Sequence, residues 1–165
     1  YRLEQDYLSQ PSREYLTRLV QANAKWVGSA GNHTIAGSVR AGEAYGNVAL
    51  NQAFSLGGFM NLSGFQINQS LGTSLRYGSL SYQYQLLTLP QPLGRGVYAG
   101  MALEGATMSG GQILGSNTNG WVPGATLFLG ANTAIGPVYA GYGYANPSGL
   151  PGSRLWYIFL GRPAY

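Results

Sequence analysis

The sequence is poor in charge, in cysteine and in long apolar runs. Charged residues make up 8% of its 165 residues, against about 25% in ordinary soluble domains. Cysteine is absent, which excludes disulfides and thiolate metal sites. No run of about 18 apolar residues occurs, so the sequence predicts no transmembrane helix.

Residues with catalytic chemistry are equally scarce. His33 is the only histidine and lies beside the turn Gly31-Asn32, and Asp6 is the only aspartate. The chain has neither the Gly-x-Ser-x-Gly elbow of a hydrolase nor a set of zinc ligands. The net charge of +4 is not gathered into a basic cluster with interleaved aromatics, which argues against nucleic-acid binding. We therefore predict no catalytic, cofactor-binding or metal site, and no enzyme activity.

The sequence is rich in glycine and tyrosine, with 26 Gly and 13 Tyr. It also shows an alternation of apolar and polar side chains with a period of two residues. In the clearest segment, apolar side chains from Leu80 to Leu86 alternate with serine and glutamine. Alternation with aromatics near segment ends is typical of strands in a membrane β-barrel. We predict about eight strands, covering 1–8, 13–27, 33–46, 70–87, 96–108, 121–134, 138–145 and 153–161. A soluble β-solenoid or an amyloid-like composition is the alternative interpretation.

One connection between these predicted strands is apolar, although turns are usually short and polar. Residues 54–65 contain three Phe, two Leu and three Gly, and we call them the inner loop. Such a loop would be poorly placed in water, so we expect it to fold back into the barrel lumen. Because an eight-stranded barrel is filled by its own side chains, the inner loop predicts a wider barrel. The loop at 109–120 is polar, and we expect it to be exposed.

Three stretches together resemble a known family. They are Leu-Gly-Gly-Phe-Met-Asn-Leu-Ser-Gly-Phe at 56–65, Pro-Leu-Gly-Arg-Gly-Val-Tyr-Ala-Gly-Met-Ala-Leu-Glu-Gly-Ala at 92–106, and Ala-Ile-Gly-Pro-Val-Tyr-Ala-Gly-Tyr-Gly-Tyr at 134–144, followed by Phe-Leu-Gly-Arg-Pro at 159–163. In this order they resemble the C-terminal half of the bacterial surface-antigen outer-membrane barrel superfamily. The most similar branch is the barrel of patatin-like (type Vd) autotransporters.

The resemblance implies an all-β fold, a transmembrane antiparallel β-barrel of sixteen strands. This chain would supply about eight of them as one C-terminal half-barrel domain over 1–165, with the inner loop folded into the lumen. The loop motif that carries the resemblance consists of Leu56, Gly57, Gly58, Phe59, Leu62, Ser63, Gly64 and Phe65. The superfamily has an Arg before the Gly-aromatic pair that binds an acidic residue on a later strand. Here Ser63 occupies the Arg position, and Glu104 matches the acidic one.

A carboxylate in an enclosed lumen needs a compensating charge or several hydrogen-bond donors. Arg40, on the inward face of the preceding strand, is the first predicted partner of Glu104, and Arg76 is the second. The Ser63 hydroxyl and the backbone of the inner loop are the other candidates. The last strand carries a separate feature, because Tyr157, Phe159 and Gly161 resemble the terminal signal that barrel-assembly machinery recognises.

The resemblance further implies the bacterial outer membrane as location and membrane lipid as partner. The function would be a translocator or anchor that exports or displays a patatin-like lipase domain lying outside this chain. The remaining half of the barrel would come from an N-terminal region, another chain or a second copy, and we expect Tyr1 to be a fragment boundary. The alternatives are a non-secretory structural or porin-like barrel subunit of a larger envelope assembly, and a soluble β-rich adhesin.

Overall fold

A computed structural model describes residues 18–46, 53–110, 112–113, 120–149 and 151–161. These ranges form ten β-strands: β1 (Arg18–Ala30), β2 (His33–Tyr45), β3 (Phe54–Leu56), β4 (Ser70–Gly72), β5 (Ser74–Thr88), β6 (Gly94–Ser109), β7 (Gln112–Ile113), β8 (Gly120–Thr133), β9 (Gly136–Ala145) and β10 (Ser153–Leu160). Within them there is no helix that is long and apolar enough to cross a membrane. The strand predicted at 1–8 lies outside the described residues.

Seven strands form the main sheet, in the order β1-β2-β5-β6-β8-β9-β10. Every neighbouring pair is antiparallel. Short turns join β1 to β2, β5 to β6 and β8 to β9 at one end of the sheet, which we call the short-turn end. The longer connections lie at the opposite, long-loop end. The prediction of an all-β antiparallel fold is confirmed, and the seven predicted segments from 13 to 161 each overlap a main-sheet strand, with boundaries that differ by a few residues.

The strand register places the alternating residues on two distinct faces. Ser38 lies opposite Ser79, Ser79 opposite Glu104, and Glu104 opposite Gly124. Since facing residues in a sheet project to the same side, these residues define one face, which we call the inner face. Leu80 and Leu103 face each other on the other side, the outer face. The predicted division of each strand into two faces is therefore correct.

The outer face is apolar and exposed along most of its length. Six of the seven main-sheet strands, all except β9, carry a large apolar side chain that is more than a third exposed on this face: Val20, Val39, Leu80, Leu103, Leu127 and Ile158. On β9 the outer-face Tyr142 is half-buried. No described segment of the chain covers this face. The outer face thus leaves a broad apolar surface without a packing partner inside the described part of the molecule.

A second sheet of three short strands, in the order β3-β4-β7, includes the start of the inner loop. The strand predicted at 70–87 is divided at Thr73, which belongs to neither β4 nor β5. Thr73 joins the two sheets, since its carbonyl accepts from Ala44 N (2.8 Å) and its N–H donates to the carbonyl of Ser109 (3.1 Å). The predicted exposed loop at 109–120 also contributes a strand, β7, which pairs with β4.

The main sheet is curled toward its inner face. A single cavity of about 370 Å³ is lined both by Ser29 and Thr34, from β1 and β2, and by Asn132 and Tyr139, from β8 and β9. Strands in a flat sheet lie about 4.8 Å apart, so five steps from β1 to β9 would separate these residues by roughly 24 Å. Only a curved sheet brings them around one cavity. Among the described residues β1 and β10 do not pair, so the sheet is open.

Candidate functional site

The inner loop lies on the inner face of the main sheet with its apolar side chains buried. Phe59 and Phe65 are 6% and 2% exposed, and Leu56 and Leu62 are each 1% exposed. Leu62 and Phe65 belong to a cluster that also contains Tyr77 on β5. Residues 54–65 therefore fold back onto the inner face of the sheet, and their predicted place in a barrel lumen stays a prediction, since the sheet is open.

Hydrogen bonds within the inner loop hold it as a compact turn. Gly57 N donates to the carbonyl of Asn61 (2.8 Å), and Gly58 N donates to the carbonyl of Phe65 (2.9 Å). The Ser63 hydroxyl accepts from Met60 N at 2.8 Å. Gly57 has a φ of 124°, a conformation that side chains disfavour, and a Cβ there would overlap the carbonyl oxygen of Gln66. The inner loop is thus held in a compact shape by its own hydrogen bonds.

Glu104 on β6 is the residue to which this unit is attached. Its Oε1 accepts from Leu62 N (3.0 Å) and from the Tyr77 hydroxyl (2.9 Å). Its Oε2 accepts from Ser63 N (2.7 Å) and from the Thr126 hydroxyl (3.3 Å). The residue is only 6% exposed. Four donors from the loop and from two neighbouring strands therefore replace the water that a buried carboxylate loses.

The backbone of Leu62 explains why two loop amides reach one carboxylate. Leu62 has a φ of 72°, in the left-handed region that costs a non-glycine residue about 1–2 kcal/mol. Successive N–H groups beside such a residue point to one side and form a concavity that binds anions. Hydrogen bonds to a charged acceptor are about twice as strong as neutral ones, so the Glu104 carboxylate offsets the cost of this turn.

Arg40, the first predicted partner of Glu104, binds the inner loop at another point. Its guanidinium donates to the Asn61 side-chain carbonyl and lies 4.7 Å from the centre of the Tyr77 ring. The Ser63 hydroxyl is likewise directed to Met60 N rather than to the carboxylate. Of the candidates named from the sequence, the loop backbone is the one that contacts Glu104.

Arg76, the second candidate, is exposed. Its register partner Ala41 stands two residues from the outer-face Val39, so Arg76 is on the outer face. It therefore lies on the side of the sheet away from the Glu104 carboxylate.

Three glycines allow the inner loop to lie directly against β9. A Cβ at Gly143 would stand 2.5 Å from the Ser63 carbonyl oxygen, and one at Gly141 would stand 2.8 Å from the Phe59 ring. On the loop side, a Cβ at Gly64 would overlap the backbone nitrogen of Ala145. The two mid-strand glycines thus remove side-chain volume where the loop backbone approaches, which is a recognised use of glycine in strands.

An aromatic cluster surrounds Phe59 of the inner loop. The Phe59 ring lies 5.8 Å from Phe128, 5.6 Å from Tyr139 and 5.7 Å from Tyr157 between ring centroids. Aromatic pairs at such distances contribute about 0.5–1.5 kcal/mol beyond their buried area. These contacts join the loop to β8, β9 and β10.

The last strand, β10, is held by the inner loop as well as by β9. The Tyr157 hydroxyl donates to the Phe65 carbonyl at 2.8 Å. Phe159 is half-buried two residues further on, and Gly161 ends the strand by donating its N–H to the Pro137 carbonyl at 2.8 Å. The structure thus places Tyr157 against the loop, whereas the recognition role of these three residues stays a prediction.

Sequence reasoning missed three residues of this site: Asn61, Tyr77 and Thr126. Tyr77 contacts Glu104, the Met60 carbonyl (3.0 Å) and the Arg40 guanidinium. Because Tyr77 stands two residues from Ser79, the alternation in the sequence already predicted that it lies on the inner face. No comparable signal pointed to Asn61.

Comparisons with known proteins add no relative. No protein-family model matches the chain, and a search of curated proteins finds no significant match. Within the described ranges no group of three or more His, Cys, Asp or Glu side chains is placed to hold a metal ion. The resemblance to surface-antigen barrels therefore stays a prediction.

Because Gly64 lies so close to β9, we predict that a single methyl group added at this residue displaces the inner loop. In Gly64→Ala the new Cβ would overlap the Ala145 nitrogen, so the loop would have to leave its position. We expect rapid proteolytic cleavage within residues 54–65 and a lower thermal midpoint. Gly28→Ala is the matched control, because a Cβ there has no neighbour within 4 Å. Equal protease resistance of the two variants would contradict the packing described.

The attachment at Glu104 predicts that a substitution of this residue destabilises the inner loop. In Glu104→Gln one carboxylate oxygen becomes an NH₂ group that faces donors, so the loop should be destabilised by about 2–3 kcal/mol. Limited proteolysis of the loop and the thermal midpoint would measure this change. Glu43→Gln, at an exposed glutamate, serves as the control. A Glu104→Gln protein as resistant as the parent would show that the carboxylate does not hold the loop.

Proposed function

We propose that this chain is part of a bacterial outer-membrane β-barrel and that its outer face contacts lipid. The observation that carries the proposal is the exposed apolar outer face opposite an inner face that carries polar groups and a seated loop. A soluble sheet would bury its apolar face against a second layer. Here the covering segment lies on the other face, which is the arrangement expected in a bilayer.

The length of the apolar band fits the hydrocarbon thickness. On β6 the outer face from Val97 to Thr107, and on β8 that from Trp121 to Ala131, carry no charged residue over eleven positions each. At about 3.3 Å per residue and a tilt near 45°, eleven residues span roughly 25 Å, the height of the apolar band of such barrels.

Charged residues of the outer face lie toward one end of the sheet. Arg18 faces Tyr45 at the end of the β1–β2 ladder, and Arg76 faces Thr107 near the long-loop end of β6. Glu43 and Arg154 also lie toward that end. This distribution fits a boundary between lipid and water, because a charged side chain there costs less free energy than at the bilayer centre.

Within the membrane we propose that the chain acts as the translocator or anchor of an autotransporter-like protein. It would export or display an attached patatin-like domain, and barrel-assembly machinery would insert it. The open edges of the sheet support a requirement for further strands from an N-terminal region, another chain or a second copy. The inner loop, seated on the strands, would close the lumen until it is displaced.

A non-secretory structural or porin-like subunit of a larger envelope assembly is the second candidate function. The many contacts of the inner loop favour it, because a loop fixed by Glu104, Arg40 and Phe59 suits a permanently narrowed lumen. Protease treatment of intact cells separates the two functions. Release of a folded domain encoded in the same chain supports a translocator, whereas absence of any attached domain supports the structural subunit.

The three tryptophans provide a direct test of lipid contact. Trp26, Trp121 and Trp156 are all on the outer face and are 55%, 56% and 81% exposed. We expect tryptophan fluorescence to fall by about half or more in vesicles of brominated phosphatidylcholine relative to the unbrominated lipid, since the bromine atoms would contact the indole rings. Iodide in the aqueous phase should quench weakly. Strong iodide quenching without bromine quenching would favour the soluble adhesin.

A matched pair of arginine substitutions tests which face meets lipid. Arginine at the bilayer midplane of an outer-membrane barrel costs about 2–4 kcal/mol on the lipid face. We therefore expect Leu127→Arg, on the outer face, to reduce folding into vesicles. Gln83→Arg, on the inner face, should fold as the parent does. Heat-modifiable gel migration measures the folded fraction, and the reverse order of the two variants would contradict the proposed orientation.

A further inference from the structure

A cavity on the inner face lies at the short-turn end, away from Glu104. It has a volume of about 370 Å³, within the range of small-molecule sites. Six strands of the main sheet supply its wall, and we call it the vestibule. Its polar lining is supplied chiefly by Ser29, Thr34, Gln83, Gln85, Tyr98 and Asn132.

The vestibule differs from the other cavities in its charge. No Asp, Glu, Lys, Arg or His is among the residues that line it. By contrast, the cavity beside Glu104 also includes Lys25, and the cavity at the base of the inner loop includes Arg40. A cavity lined with hydroxyl and carboxamide groups offers donors and acceptors together, without selecting for a charged ligand.

Part of this hydrogen-bonding capacity is unused. The hydroxyls of Ser29 and Thr34 bond to each other at 2.8 Å, and Gln85 donates to Thr88 at 3.3 Å. Within the described residues, however, no hydrogen bond uses the side chains of Gln83, Tyr98 or Asn132. Three side chains on β5, β6 and β8 thus direct polar groups toward the same space and are available to a ligand.

The aromatic cluster bounds the vestibule on the side of the inner loop. Tyr139 lines the cavity and also packs against Phe59 and Phe128. Its ring lies over Gly130, where a Cβ would stand 2.8 Å from the ring. Tyr139 thus joins the wall of the vestibule to the aromatic cluster around Phe59.

We propose that the vestibule binds a neutral, hydroxyl-rich ligand of about the size of a disaccharide. Sugar hydroxyls both donate and accept, as do the carboxamides of Gln83 and Asn132 and the hydroxyl of Tyr98. Tyr98 and Tyr139 add aromatic carbon to the wall of the same cavity. This inference does not depend on the translocator function, because the residues that line the cavity all belong to this chain.

Saturation-transfer NMR with maltose tests the proposal. The full chain would be held in lauryldimethylamine oxide, a detergent without a sugar headgroup. We expect transfer to maltose, and binding about tenfold weaker in the double variant Gln83→Leu/Asn132→Leu, the change expected when two hydrogen bonds are lost. Gln21→Leu, an inner-face substitution outside the vestibule, should bind maltose as the parent does.

Two competing ligands define the specificity. Lactobionate, an anionic disaccharide derivative, and triglycine, a short peptide with two charged termini, should each bind at least about tenfold more weakly than maltose, because the wall offers no countercharge to either ligand. Absence of transfer to maltose, equal binding by the double variant, or equal binding of either competitor would overturn the proposal. Bromine quenching of the tryptophans measures lipid contact and is independent of maltose binding. A negative result with maltose would therefore leave the proposed function unaffected.

Discussion

The contact between the Glu104 carboxylate and the amides of Leu62 and Ser63 is the interaction on which the rest of the structure depends. Each partner needs the other. A carboxylate that is 6% exposed requires several donors, and the left-handed turn at Leu62 exposes two amides that the loop itself does not satisfy. Without the carboxylate those amides would be buried unpaired, at a cost of about 1–3 kcal/mol each.

From this attachment the inner loop reaches most strands of the main sheet. Asn61 binds Arg40 on β2, Phe65 binds Tyr157 on β10, and Phe59 packs between β8 and β9. Contacts with both flanks of a sheet hold its curvature in place. In a closed barrel the continuous ring of hydrogen-bonded strands holds the curvature itself. Among the described residues, however, the edge strands β1 and β10 do not pair with each other. The loop is therefore a brace for the open sheet, from Arg40 near one edge to Tyr157 at the other.

Much of this arrangement could be predicted from the sequence, because the strongest signals are local. Alternation such as that from Ser79 to Leu86 fixes both the strand and its faces, and an apolar connection must be buried somewhere. The partner of Glu104 could not be predicted in the same way. It depends on a left-handed Leu62, and leucine is not a residue that favours that conformation. The break at Thr73 was missed because alternation continues through it, while the hydrogen bonds that define it come from β2 and β6.

The apolar outer face and the two free edges pose one physical problem. Water does not stabilise a surface that exposes Leu103, Leu127 and Ile158 together, and lipid does. Lipid, however, offers no partner to the unpaired N–H and C=O groups along β1 and β10, each of which would cost several kilocalories per mole there. A sheet with this outer face is therefore compatible with a bilayer only when further strands continue it at both edges. In a bilayer, the two edges that leave the sheet open would be the places where such strands pair.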